Sequence, residues 1–591
     1  MLAQTINTVE SSREEFAFPG PTFRAGTVLM NCKPGESARR ISKIVEFLGG
    51  AIAPIQFDAE IKGTAPCLIT DAETVSQMGE AAWTQLGDFA SNVLIFGFTP
   101  GSHSRLLNTL TSNSLSGVKL LSAGTRKLAV TSEAPALCRQ LSGLATDLMV
   151  SRDLPVFSGD DNSTPRLPVF TVDGNPAFVR MPTEAGAIFL LAGNEIPELD
   201  APVFHGLAAV DFLPGLAPWF MFLRASLGAA LWEANEPLAC FIIDDPLLKP
   251  RYGFLEYDRL LQAAERENFC VSLAFIPSNF KRSESGTAKL FASHPERLSL
   301  CVHGCDHTWA EFGVSDEAVL RAQAERALAR MERHQTLSGV PFDSVMVFPQ
   351  GIFSRVAMKA LRDSGGYLAA VNSTPCPVDA GEDVPILREL LEPATTRFAD
   401  FPLFTRRYPH NPAALRFDLF LGRPALMVEH HGYFRDGYDS LSCTVRQLAK
   451  SEPGLRWANL GALCARSFWR RINNQGEIEA RFFTNRFWFK NDSGAAQNYV
   501  VSRRTGGDRP EACLVNGRPV SFTTAGEFVQ TSVGLHAGET AELRLKYNSP
   551  TAQPTPRQGW TYQAKVFTRR RLSEFRDNCV EPAKQKLRKR G

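Results

Sequence analysis

The spacing of hydrophobic positions divides this chain into stretches of different rhythm. Up to about residue 150, short continuous apolar runs alternate with segments of helical period. VLMNC from Val28 is followed by SARRISKIVEFLGG, then by AIAPIQF, CLIT and NVLIFGF, the last leading through TPGSHS into another helical stretch. Strand–helix alternation of this kind predicts an open sheet with helices on its faces, of flavodoxin or Rossmann type. Two further short strands, LPVFTVDG and AIFLLAG, and a buried helical stretch from Phe212 to Trp232 complete an N-terminal α/β unit over 1–235.

A second alternating stretch covers 236–474. The runs ACFIID, CVSLAFIP, LSLCVHG, SVMVFP, YLAAVN and ALMVEHH are short and continuously apolar, and most are followed by an amphipathic helix such as that from about Asp316 to Thr336. Strands buried on both faces read this way, so a parallel sheet or a (β/α) barrel is expected. From 475 the period falls to two, in EARFFTNRFWFKND, NYVVSRR, CLVNGRPVSF, EFVQTSVG and TAELRLKYN. A small antiparallel β-sandwich over 475–550 is predicted. A last helix, FTRRRLSEFRDN, and a basic tail fill 551–591. The expected fold class is therefore α/β multidomain, with a barrel-like centre between an open sheet and a sandwich.

Composition changes this picture little. A chain of 591 residues exceeds one core at roughly 150 residues per domain. The net charge of +2 offers no field for nucleic acid. Lys584, Lys586, Arg588, Lys589 and Arg590 read as a solvated chain end. No membrane span is expected, because the longest apolar stretch, Phe212 to Trp232, is broken by Pro214, Pro218 and Arg224. The start lacks a basic segment followed by an apolar one, and the 12 cysteines form no CxxC pair. A cytoplasmic location with reduced thiols is the expectation. The turn carrying Gly97, Pro100 and Gly101 matches neither GxGxxG nor a phosphate-binding loop.

Residues with chemistry gather at the C-terminal ends of the central strands, the edge where α/β sheets and barrels place their sites. Asp244 and Asp245 end ACFIIDDP. Two adjacent carboxylates repel, and burying both needs a compensating cation or proton. His303 and His307 follow LSLCV in HGCDH. At i,i+4 on a helical turn their imidazoles face one point, and two His with one carboxylate make an open zinc site. Thr308 and Glu311 fit a capping box, which gives them and Asp306 structural roles.

FIIDD and HGCDH resemble the first two motifs of the NodB-homology, or polysaccharide deacetylase, superfamily, over about residues 236–435. The resemblance implies a divalent metal, with zinc the expected ion, held by Asp245, His303 and His307, and it makes Asp244 the base. It implies an acetylated saccharide as substrate. VFPQG stands where the family has an RxPY-like motif, so Pro349, Gln350 and Gly351 are the candidate groove and oxyanion residues. The arginine that tunes the base is missing from that motif, and Arg388 is a candidate for it. ALMVEHHGYF offers His430 or His431 as general acid. Strand alternation favours His430, on the face of Val428, and leaves His431 beside Glu429. Tyr252, Phe280, Trp309, Phe434 and Tyr438 are candidates for stacking on sugar rings. Two other readings stand beside this one: a metal-holding but inactive carbohydrate-binding or scaffold protein, and an amidohydrolase acting on a non-sugar C–N bond.

Overall fold

The computed structural model describes residues 26–55, 65–83, 86–159, 166–204, 206–506, 509–547 and 559–588. At its centre is a nearly closed barrel of parallel strands. Their order is Leu403–Thr405, Ala369–Asn372, Asp343–Val347, Leu298–His303, Val271–Phe275, Leu238–Asp244 and Ala425–His430. The first and last of these strands do not pair along their length. The gap is bridged at Arg407, whose N–H donates to Leu426 O at 2.8 Å and whose carbonyl accepts from Val428 N–H at 2.9 Å. The α/β multidomain architecture with a barrel-like centre is thus borne out.

The apolar runs form barrel strands because both faces find cover. LACFIID and LSLCVH are buried at every position. Phe241, Ile243, Leu273, Leu300 and Met427 face an outer shell of helices carrying Leu260, Leu320, Met331 and Leu361. Cys240, Ile242, Cys301, Val345, Val371, Leu426 and Val428 face inward. Inward residues of adjacent strands therefore lead to the same mouth, where Asp244, His303 and His430 end their strands.

The N-terminal unit departs from a purely doubly wound sheet. Its nine strands run parallel from Ala51–Pro54 through Thr27–Asn31, Ala65–Asp71 and Ala90–Phe98 to Ala187–Ala192, then antiparallel through Asn175–Pro182, Leu167–Val172, Gly124–Val130 and Ala145–Val150. Neighbouring strands of the antiparallel half do not need the crossover helix that parallel neighbours require, so a Rossmann-type reading holds only for the first half. The sandwich packs a six-stranded sheet on a four-stranded one around Phe468, Phe482, Phe487, Phe489 and Leu543. Its larger sheet starts ahead of residue 475, because Phe468–Ile472 belongs to it and pairs with Glu233–Ala234. Ile478–Phe482 and Gln497–Arg504 run parallel, an exception within the expected antiparallel sandwich. Part of the expected stretch 475–550, from 548 on, lies outside the described residues.

The helix Leu213–Leu227 ties the units together. Trp219, Phe220 and Phe222 share one continuous core with Phe417 and Phe420 of the barrel and with Phe47 and Phe96 of the N-terminal sheet. The buried Arg224 lies over the Phe220 and Phe420 rings at 5.4 and 5.2 Å and donates to the Phe420 and Leu421 carbonyls. Among the described residues no helix is long and apolar enough to cross a membrane. Because this helix is shared, a fragment of residues 236–475 is expected to lose cooperative thermal unfolding and to aggregate, whereas the full chain melts cooperatively. A sharp melt of the fragment by circular dichroism would show that the barrel carries its own core.

Candidate metal centre

Asp244 is the last residue of its strand and faces inward with Cys240 and Ile242. Strand alternation would send Asp245 to the opposite face. Instead Asp245 takes φ +81, a conformation that costs a non-glycine residue of order 1–3 kcal/mol. That turn lets consecutive carboxylates serve one site. Asp245 Oδ1 lies 3.0 Å from His307 Nε2 and 3.5 Å from His303 Nε2. All three donor atoms fall within 4.8 Å of one another. Oδ1 is buried and forms no hydrogen bond despite these approaches. Three ligand atoms converging on one point, one of them orphaned, fit a divalent cation.

The two histidines are not on a helical turn. His303 ends its strand and His307 sits in the loop that follows, with φ 54. The loop takes its shape from Glu311, whose carboxylate accepts from the N–H groups of Cys305 (2.8 Å), Asp306 (3.0 Å), His307 (3.1 Å) and Thr308 (3.3 Å). Glu311 is thus an N–H cage rather than half of a helix-capping box. Gly304 is required here: a Cβ at this position would lie 2.0 Å from Glu311 Oε1 and 2.4 Å from Pro349 Cγ. His303 Nδ1 lies 3.0 Å from Val347 O, which leaves Nε2 as the ligand nitrogen.

The electrostatics keep both acids ionised. Burial alone would raise Asp244, but Arg406 and His303 outweigh it and hold the carboxyl below its ordinary value. Burial likewise opposes Asp245, and the closely approaching His303 and His307 imidazoles drive it well below. Burial lowers His303, and Asp244 and Asp245 reverse this and raise it. Arg406 donates Nη1 to Asp244 Oδ1 and Nη2 to Oδ2, each at 2.7 Å. Arg388 does not fill this role; it pairs with Asp200 of the N-terminal unit at 3.1 Å. Sequence reasoning missed Arg406, and the only sign of it is TRRYP directly after a barrel strand.

The remaining candidates divide. Pro349 packs under Gly304, and Gln350, with φ 54, reaches Ala310 N–H with Oε1 (3.1 Å) and lies 3.3 Å from His307 Nδ1 with Nε2. Gly351 O is held by Asn372 Nδ2 at 3.0 Å, a second residue that sequence reasoning missed. His430 is in register with Asp244 and is exposed at the mouth. His431 turns away: it stacks on Phe254, and its Nε2 lies 3.5 Å from Asp577. Its partner is thus Asp577 rather than Glu429. Phe434 and Tyr438 are core residues, Tyr252 is buried with its hydroxyl on Asp577, and Phe280 lies beneath Lys281 and Arg333. Trp309, 74% exposed, is the candidate aromatic that remains free to stack.

No protein family profile matches the chain, and no curated protein matches it. Among solved structures it is similar to Agd3, described as a novel carbohydrate deacetylase, at 10% identity and TM-score 0.47, covering 88% of this chain and 98% of that one. It is also similar to a putative polysaccharide deacetylase from Mycobacterium smegmatis, at 14% identity and TM-score 0.28, covering 39% and 89%. A third is BA3943, a CE4 family pseudoenzyme from Bacillus anthracis, at 12% identity and TM-score 0.25, covering 39% and 66%. These are loose likenesses.

The Asp244–Arg406 pair makes a direct prediction. Its stabilisation is present above the ordinary carboxyl range and is lost as pH falls through the lowered pKa of Asp244. Arg406→Met is expected to lose about 3–5 kcal/mol at pH 7, because it strands a buried charge. Adding Asp244→Asn should restore much of that. A double variant no more stable than the single, in urea melts, would show that the two residues are not coupled.

Proposed function

We propose that this chain is a metal-dependent deacetylase that removes an acetyl group from an N-acetylated or O-acetylated saccharide, with zinc as its ion. The observation that carries the reading is the convergence of Asp245 Oδ1 with Nε2 of His303 and His307 beside a second, ionised carboxylate. Bound there, the ion would polarise the acetyl carbonyl and bring the pKa of a water toward roughly 7. Asp244 takes the proton from the attacking water on a carboxylate oxygen. The two Arg406 N–H groups leave each oxygen a free lone pair and hold the plane of the carboxylate still. His430, across the barrel seam from Arg406 and in register with Asp244, gives a proton to the departing amine or alcohol. Gln350 braces His307 and the Ala310 turn, and the exposed Trp309 supplies a face for a sugar ring.

Purified protein is expected to carry close to one zinc per chain by metal analysis. His303→Ala or His307→Ala should release it, and Asp244→Asn should keep it while abolishing release of acetate from a panel of N-acetylated and O-acetylated saccharides. Absence of zinc in the wild type, with no thermal shift on adding zinc, nickel or cobalt, would remove the reading.

The two adjacent histidines separate acid from structure. His430→Ala should lower turnover by about 10²–10⁴ without loss of metal. His431→Ala should mainly lower the melting temperature, because His431 fills the space between Gly253, Phe254 and Asp577. The reverse pattern in assays and melts would move the acid to His431.

A further inference from the structure

The C-terminal helix does more than end the chain. Trp560–Phe575 continues through Arg576–Val580 into Glu581–Arg588 and lies across the barrel mouth. Four of the loops that follow barrel strands hold it there. In the first, Tyr252 donates its hydroxyl to Asp577 at 2.8 Å and Gly253 N–H donates to Asn578 Oδ1 at 2.6 Å. Lys249, in the same loop, and Arg282, in the second, both pair with Glu574. In the third, Asp306, next to the metal ligand His307, accepts from the Tyr562 hydroxyl at 3.2 Å. In the fourth, His431 faces Asp577 and Arg435 O accepts from Gln585 at 3.1 Å.

Arg570 lies between the Tyr562 and Glu574 anchors and is half-buried. Its Nη2 donates to Ser573 on the same helix at 3.4 Å, and its Nε is buried with no partner. It forms no ion pair among the described residues, whereas Arg282 and Lys249 beside it share Glu574 and Arg576 takes Asp577. Burial lowers its pKa, Asp245, Tyr252 and Glu311 push back, and its neighbour Arg569 adds to the lowering. Both of those carboxylates are committed elsewhere, Asp245 to the histidine pair and Glu311 to four N–H groups. A guanidinium held in place at a covered mouth without its own counter-ion is a receptor for an anion, and its fork matches a carboxylate.

We propose that Arg570 is a specificity-determining residue that binds a carboxylate presented beside the reacting acetyl group. The carboxylate is carried either by the saccharide itself or by the acetate released. The identity of the ligand rests on the deacetylase reading; its charge does not.

The test uses full-length protein equilibrated with zinc, alongside R570A, R570Q and R570K, and isothermal titration calorimetry with three probes. N-acetylmuramic acid and N-acetylglucosamine are the same sugar with and without a carboxylate, and acetate is the third. The expected result is that wild type binds N-acetylmuramic acid about 10–100-fold tighter than N-acetylglucosamine. R570A and R570Q should lose that preference and R570K should keep part of it, with affinity for the neutral sugar, zinc content and melting temperature unchanged. If R570A melts early, R570Q decides, since it keeps most of the side chain and removes the charge. Arg570-dependent binding of acetate, with no difference between the sugars, assigns the residue to the product carboxylate. No carboxylate binding, or binding that the neutral variants leave intact, overturns the proposal. Zinc content is read separately: a chain without zinc that still binds carboxylates through Arg570 loses the deacetylase reading and keeps this one.

Discussion

Two carboxylates at the end of one buried strand can remain ionised only if the fold brings cations to them, and the ion pair of Asp244 with Arg406 meets half of that requirement. It is buried on both sides, at 2.7 Å through both nitrogens. Arg406 reaches Asp244 because it follows the strand Leu403–Thr405, at the seam where the barrel nearly closes. There its own N–H donates to Asn372 O at 2.9 Å, and the next residue, Arg407, bridges to Leu426 and Val428. Closure of the barrel and ionisation of the candidate base therefore depend on the same two residues. Arg407 is fixed in turn by Asp418, which Arg423 also contacts.

The other half of the requirement falls on the second acid, and there the backbone carries the strain. Asp245, Gly304, His307, Gln350 and Gly351 all have positive φ. Residues held in this region cluster where the surroundings over-determine them. Here Glu311 holds four N–H groups of the histidine loop, Pro349 lies against Gly304, and Asn372 holds Gly351. Three neighbouring loops are thus locked to one another before any ligand arrives. That rigidity is what brings two imidazoles and a carboxylate to one point.

The flanking units act as buttresses of the barrel rather than as independent modules. The N-terminal sheet shares the Leu213–Leu227 helix with the barrel core, and the sandwich begins with a strand paired to Glu233–Ala234. Arg503 of the sandwich is buried and donates to the Asp400 carbonyl at 2.6 Å. The terminal helix then crosses the mouth from the opposite end of the sequence, so residues more than 250 positions apart, such as Asp306 and Tyr562, meet beside the candidate metal centre.

The sequence by itself determined the barrel-like centre, the change to a two-residue period beyond it, and the candidate cluster of Asp245, His303 and His307. Each of these is a local pattern: a continuous apolar run needs cover on both faces, and DD and HxxxH keep the candidate ligands close to the ends of two strands. The choice of His430 over His431 as the residue aimed at the mouth was also legible, because alternation puts His430 on the face of Val428. Tertiary structure alone decided the partners. Arg388 and Arg406 are both arginines near strand or helix ends, and only the order of strands around the barrel brings the second to Asp244. His431 finds Asp577, Glu311 serves a loop instead of a helix, and the C-terminal helix, whose own pattern gave it no partner, lies across the barrel mouth. Pairings of this kind join positions that share no period and no local spacing. They follow from how the barrel closes and from what packs across its open end, and chain pattern carries no record of either.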